Sequence, residues 1–207
     1  MSRPRQQGAS RTRERRLRLA HEAARLMSEG GISDFHLAKR KAASRLGIND
    51  DASLPRNSEV EEALREHQRL FHGPEQGDAL RLRRQAALNA LEFFAPFQPR
   101  LVGPVLEGTA DANSAVTLQL YPEHAEEVPV FLDEQGIPAT ERSRRIRLDR
   151  SRSGDFPVWV FSADDLTIDL TVLPQLALRQ APLSNIDEKP MARASAAQLK
   201  LLLDEGK

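Results

Sequence analysis

Cysteine is absent from the 207 residues, which excludes disulfides and thiolate metal sites and is compatible with a reducing cytoplasm. No apolar run approaches the roughly 20 residues that span a bilayer, so no membrane segment is expected. The N-terminal charges are not followed by the apolar core of a secretory signal. Common catalytic patterns are missing too. There is no Gly-x-Ser-x-Gly elbow, no phosphate-binding Gly-x-x-x-x-Gly-Lys, no Gly-x-Gly-x-x-Gly after a strand and no His-Glu-x-x-His. His36 and His72 have no acidic residue at metal-ligand spacing, and His67 occupies a packing position on an apolar stripe, so no zinc site is expected.

What is present is an ordinary globular composition with enough chain for one domain or two small ones. Formal charge balances, 30 basic residues against 30 acidic, yet the balance hides an asymmetry. Before Leu19 lie Arg3, Arg5, Arg11, Arg13, Arg15, Arg16 and Arg18, opposed only by Glu14. With Pro4, Gly8 and two serines, residues 1–10 read as a disordered basic arm that turns helical near Thr12. Arg11, Arg13, Arg15, Arg16 and Arg18 are candidates for binding nucleic acid through phosphate contacts, or for holding a protein partner. A solubilising tail is the plainer alternative, since no aromatic residues interleave for base stacking. An Arg-rich, Ser-bearing start also fits an organellar transit peptide, which nothing else in the chain supports.

Residues 11–96 read as a helical region. Leu17, Ala20, Ala24 and Met27 form one stripe that stops at Gly30-Gly31. Ser33 is placed to cap a second helix ending at Gly47, and Ser58 with Glu61 forms a capping box for a third. Gly73-Pro74 ends that helix, and a fourth runs from about Gln76 to Phe94. The Lys39-Arg40-Lys41 cluster with Arg45 invites a nucleic-acid reading, but adjacent charges spread around a helix and a solvated face explains them.

The centre of the chain is Leu101 to Leu120. Leu101, Val102 and Gly103 read as a buried strand entering a tight turn, and Val116, Leu118 and Leu120 alternate with Thr117 and Gln119 as in a half-buried strand. With Gly103, Gly108, Ser114, Val116 and Leu118 in register, this stretch resembles the signature of the polymerase-beta-like nucleotidyltransferase superfamily, as a divergent bacterial member. The family's pattern is a strand ending in Gly-Ser, a second Gly five residues on, and a Ser-Asp-hydrophobic-Asp-hydrophobic strand. The resemblance implies a mixed sheet backed by helices, with Gly103, Gly108 and Ser114 at the substrate. It also implies two carboxylates that hold a divalent ion on a nucleoside triphosphate.

Those carboxylates are missing. Ala115 and Thr117 stand in their places, and Pro104, without a hydroxyl or an N–H, replaces the phosphate-loop Ser. A methyl group and a hydroxyl are no substitute for charged oxygen ligands around a hard cation. The resemblance therefore implies the fold and argues against the activity.

Downstream, Pro122 to Gly136 reads as a helix, and Ile146 to Arg150, Phe156 to Phe161 and Leu166 to Leu173 read as strands. The first of these belongs to a stretch, Arg142 to Arg150, that alternates weakly around Ile146 and Leu148 and is armed with Arg144, Arg145 and Arg147, as charges that guard a sheet edge or bind a polyphosphate. Asp169 occupies the place of the family's third carboxylate, a vestigial catalytic candidate whose ordinary alternative is a solvent-facing strand residue. The segment Leu178 to Arg193 is polar and bracketed by Pro, as if crossing the sheet mouth, and Ser195 with Gln198 opens a last helix.

The expected architecture is α+β, with a nucleotidyltransferase-like domain over 97–207 preceded by the helical region. Two functions fit. One is a catalytically degenerate binding or regulatory protein that needs no cofactor. The other is an active, divergent nucleotidyltransferase in which Asp169, with Asp165 or Asp111, rebuilds a magnesium site.

Overall fold

Alternation of apolar and polar residues from Leu101 onward produces the sheet around which the second half of the chain folds. In the computed structural model, residues 3–30, 32, 34–48, 50, 53–71 and 73–205 are described, with side chains described outside 3–11, 68–71, 73–76 and 205. The architecture is α+β. Eight α-helices and one five-stranded mixed sheet are present among the described residues. The chain divides into two compact units, Met1–Pro74 with Asn185–Asp187, and Glu75–Ser184 with Glu188–Lys207.

The first unit contains α1 (Arg3–Gly30), α2 (Phe35–Leu46) and α3 (Asn57–Phe71). Its core is built largely from small side chains, Ala20, Ala23, Ala24, Ala38, Ala42 and Ala63, with Leu19, Leu26 and Val60. The many alanines let helix axes approach closely, and alanine carries the best helix propensity. Helix α1 begins at Arg3, so the arm expected to be disordered over 1–10 is helical backbone from its third residue. Arg and Gln are good helix formers, and Pro4 falls in the first turn, where a missing N–H is harmless.

Capping also differs in detail. Asp34 caps α2 by accepting from the Leu37 N–H at 2.6 Å, while Ser33, expected in that role, lies outside the described residues. At α3 the reciprocal acid is Glu59, which accepts from the Arg56 N–H at 2.6 Å, two residues earlier than the Ser58–Glu61 box predicts. Gly47 ends α2 at φ 63°, a left-handed position that glycine adopts without strain.

The second unit contains α4 (Gly73–Phe93), which the sequence groups with the helical region but which belongs to the sheet from Glu75 onward. Strands β1 (Arg100–Val102), β2 (Val116–Leu120), β3 (Thr140–Arg147), β4 (Ser153–Ala163) and β5 (Leu166–Val172) form a sheet of order β1-β2-β5-β4-β3. Strands β2 and β5 run parallel, and every other pair is antiparallel. β3 occupies Thr140–Arg147 where the sequence indicates an edge strand over 142–150 centred on 146–150, because pairing with β4 fixes it and Asp149 turns the chain beyond it. Asp164 and Asp165, at φ 47° and 63°, make the two-residue turn between β4 and β5, a conformation Asp tolerates.

Helices α5 (Pro104–Glu107), α6 (Glu127–Glu134), α7 (Leu176–Arg179) and α8 (Ala196–Glu205) complete the unit. One face of the sheet is the main core: Leu101, Val116, Leu118, Leu120, Ile168, Leu170 and Val172 pack with Ala87, Leu91 and Phe94 of α4, Val128 and Leu132 of α6 and Leu199 of α8. The expected Ser195–Gln198 capping box forms, at 2.9 and 3.4 Å. Ala194 exchanges two backbone hydrogen bonds with Leu101, at 2.8 and 3.0 Å, and so covers the outer edge of β1.

Candidate functional site on the polar sheet face

Residues two apart on a strand share a face, so Thr117 and Gln119 of β2 and Asp169 and Thr171 of β5 all point away from the main core. Register then aligns them across the sheet. Thr117 sits beside Asp169, and Gln119 beside Thr171. Val102 and Arg100 of β1 flank Thr117 and Gln119, and Val160 and Val158 of β4 flank Asp169 and Thr171. The position where the family resemblance requires a carboxylate, Thr117, is thus the cross-strand neighbour of Asp169.

Asp169 is not solvent-facing, as the plainer sequence reading had it. It is only 9 % exposed, and Thr171 1 %. Arg144 reaches from β3 across β4 to both. Its Nη2 donates to Asp169 Oδ2 at 2.6 Å, and its Nη1 donates to Asp169 Oδ1 at 3.0 Å and to Thr171 Oγ1 at 2.9 Å. A bidentate guanidinium–carboxylate pair is the strong form of a charge-assisted hydrogen bond. It satisfies a carboxylate that would otherwise be buried and unpaired.

Beside this pair the polar face is closed by side chains from the chain's last quarter. Tyr121 Oη donates to Gln119 Oε1 at 2.7 Å, and Gln119 Nε2 lies 3.5 Å from Met191 Sδ. Arg193 Nη1 donates to Tyr121 Oη at 2.9 Å and to the Ala177 carbonyl at 2.7 Å, and Nη2 donates to Leu178 at 3.2 Å. Burial pushes the Tyr121 phenol above its ordinary value, against the opposing pull of Arg193 and Arg100. At this end of the face Tyr121, Ile146, Leu173 and Ala177 form a small apolar cluster of their own.

The loop from Gly103 to Ser114 is a braced structure. Gly103, at φ 71° and ψ −155°, turns the chain out of β1 in a region open only to glycine. Gly108 ends the short helix α5 at φ 79°. The Ser114 hydroxyl donates to Asp111 Oδ1 at 2.8 Å and accepts from the Asp111 N–H at 3.0 Å, while Asp111 Oδ1 also accepts from the Asn113 N–H at 2.9 Å. From α4, Arg83 donates to the carbonyls of Ser114, at 2.7 Å, of Ala112, and of Ala79, at 3.2 Å. Arg84 donates to Val105 at 3.2 Å. Arg83 is 5 % exposed, and burial lowers its proton affinity, partly opposed by Asp111. Such a loop turns carbonyls toward fixed arginines, whereas a phosphate cradle presents free N–H groups.

The residues do not fit a magnesium ion. Ca²⁺- or Mg²⁺-type cations are held by several oxygen ligands, usually including more than one carboxylate. Asp169 has Thr117 as its cross-strand neighbour where an acid would be needed, and both of its oxygens accept from Arg144. Asp111 is engaged within its own loop, and Asp165 lies in the β4–β5 turn. Among the described residues no three of His, Asp and Glu gather where they would hold a metal ion.

The basic candidates of the first unit are dispersed. Arg13, Arg15 and Arg18 are exposed, Arg16 is half-buried, and the side chain of Arg11 lies outside the described set. Arg18 pairs with Glu14 at 2.5 Å. Of the Lys39-Arg40-Lys41 cluster, Lys39 donates to Asn57 Oδ1 at 2.7 Å and its proton affinity is lowered by burial, while Arg45 pairs with Glu22 at 3.2 Å. Arg40, Lys41 and Arg45 are exposed.

Comparison of the chain with protein-family models gives no match, and comparison with curated proteins gives none. No helix among the described residues is long and apolar enough to cross a membrane.

Asp169 lies on β5, and Gly103 and Gly108 bound α5 between β1 and β2; what holds them is not legible in the sequence. From sequence Arg144 reads as a guard on an edge strand or a polyphosphate ligand, and not as the partner of Asp169. Its partner lies two strands away, and only the register of β3 on β4 and β4 on β5 brings the two together. Arg83 and the Arg193–Tyr121–Gln119 chain left a weaker signal, an arginine on the inner side of a helix and one in a Pro-bracketed segment.

Proposed function

We propose that this chain is a nucleotidyltransferase-like protein that has lost nucleotidyl transfer and acts as a binding or regulatory module of the cytoplasm. The observation that carries this is the Arg144–Asp169 pair. The carboxylate best placed to hold a catalytic ion gives both oxygens to a guanidinium, and its cross-strand neighbour is a threonine. Phosphoryl-type transfer depends on positioning and on metal charge that stabilises developing negative charge, so a face without paired carboxylates lacks the means. The order strand, glycine turn, alternating strand and later acidic strand supports the kinship, as does the adjacency of positions 117 and 169 on parallel strands.

The test is to incubate the native protein with labelled ribonucleoside triphosphates, magnesium or manganese, and a pool of RNA and protein acceptors. No label should transfer. Transfer that disappears in Asp169→Asn would overturn the reading and establish a divergent active site.

A further inference from the structure

Arg144 has hydrogen-bonding capacity that the Asp169 pair does not use. A guanidinium carries five N–H groups in one plane. Three are committed, two from Nη1 and one from Nη2. The Nε–H and the second Nη2–H remain. They lie side by side on one edge, at the spacing that matches two oxygens of a single anion. The side chain is 43 % exposed, while the donors already committed are anchored on the buried Asp169 and Thr171.

Arg142 lies two residues earlier on β3 and therefore on the same face. It is exposed, and its side chain has no ion pair or hydrogen bond among the described residues. Thr140, also exposed, adds a hydroxyl to the same row. The arginines of the opposite face are neutralised: Arg145 pairs with Asp155 at 2.9 Å and Arg147 with Glu188 at 2.7 Å. Excess positive charge on β3 is thus confined to the face that carries Asp169.

The geometry points to an anion site built on Arg142 and Arg144 that takes a phosphate-bearing ligand without any divalent ion. The inference rests on the reading that the metal centre is lost, and it assigns the guanidinium as the cation that replaces the metal. Asp169 and Thr171 are positioning residues here. By fixing the guanidinium before the ligand arrives, they remove much of the entropic cost of ordering a long side chain on binding.

The experiment is calorimetric titration of the native chain with inorganic tripolyphosphate and, separately, with ATP, each in EDTA. Binding of either is expected without metal, weakening as salt rises. Added magnesium should weaken it further, because the ion competes for the same ligand oxygens. Arg142→Gln should weaken binding about tenfold, the scale of one lost charge-assisted contact. Arg144→Gln leaves Asp169 buried without its partner, so Arg144→Gln combined with Asp169→Asn is the companion variant, and it should abolish binding. Arg150→Gln, in the exposed turn after β3, should change affinity less than twofold by rough expectation.

Tighter binding of ATP than of tripolyphosphate would assign the source of the phosphate to a nucleotide, and equal or weaker binding would assign it to the phosphates alone. Absence of binding for both ligands, binding that requires magnesium, or binding that survives in both arginine variants would overturn the site. Label transfer in the nucleotidyl assay overturns the functional reading itself. A chain silent in both assays would overturn only the anion site.

Discussion

The two faces of the sheet are buried by different means. On one, Leu101, Leu118, Leu120, Ile168 and Leu170 meet helices α4, α6 and α8 in a continuous apolar core. On the other, Gln119, Asp169 and Thr171 are almost as inaccessible, yet each is held by polar partners: Arg144 on Asp169 and Thr171, and separately Tyr121 with Arg193 on Gln119, Met191 alongside. The apolar face depends on area and packing, which many sequences supply. The polar face depends on each donor meeting a particular acceptor, so its stability is concentrated in a few residues and is lost when one of them changes.

That contrast sets the order of expected effects. Leu170→Ala removes a fully buried side chain from the apolar face and should destabilise the chain by about 2–5 kcal/mol in urea unfolding, leaving the polar pairs intact. On the polar face Arg144→Ala should cost about 2 kcal/mol, because Asp169 is left buried without its partner. Asp169→Asn should cost less, since Arg144 is partly exposed and can turn to water. A double-mutant cycle on the two should show coupling of about 1–3 kcal/mol. Additivity would mean that the pair closes nothing and that the two faces do not differ in the way described.

Smaller effects depend on pH. The Tyr121 phenol is raised above its ordinary value of 10.0 by burial. A group whose folded value is raised contributes stability that is fully present below its unfolded value and fades as pH climbs through the folded one. Stability should therefore fall more steeply above about pH 10 in the native chain than in Tyr121→Phe. Tyr121→Phe should itself cost about 1 kcal/mol at neutral pH, through the bonds lost to Gln119 and Arg193.

Asp149 gives the opposite sign and the smallest effect. Its carboxyl is held well below the usual range, first by the Ser151 backbone N–H and then by Arg152 and the Ser151 hydroxyl. A depressed value contributes stability present above the unfolded value and lost as pH falls through the folded one. Asp149→Asn should flatten the acid limb of a pH–stability curve below about pH 4 and leave the neutral plateau little changed.

The sequence revealed the apolar face well. Alternation at Val116, Leu118 and Leu120 and at Leu166, Ile168, Leu170 and Val172 named both central strands to within a residue, and the Ser195–Gln198 box located the start of α8. These are local signals, carried by period and capping chemistry within a few residues. The polar face was legible only in part. Asp169 stood out by its alternation, but whether an acid on a strand is wet or buried depends on strand order, and strand order depends on pairing between distant segments. Arg144 is 25 residues from Asp169 in sequence and Arg193 is 72 from Tyr121. The N-terminal arm failed for another reason: charge and Pro argued for disorder, while helix propensity in an Arg- and Gln-rich run continues α1 back to Arg3.

The central claim is that Asp169 belongs to Arg144 and not to a divalent ion. Manganese titration followed by electron paramagnetic resonance tests it most directly, because free manganese gives a strong signal that binding removes. The native chain should leave the signal of added manganese unchanged, and so should Asp169→Asn. Signal loss at about one ion per chain, abolished by Asp169→Asn, would contradict the account.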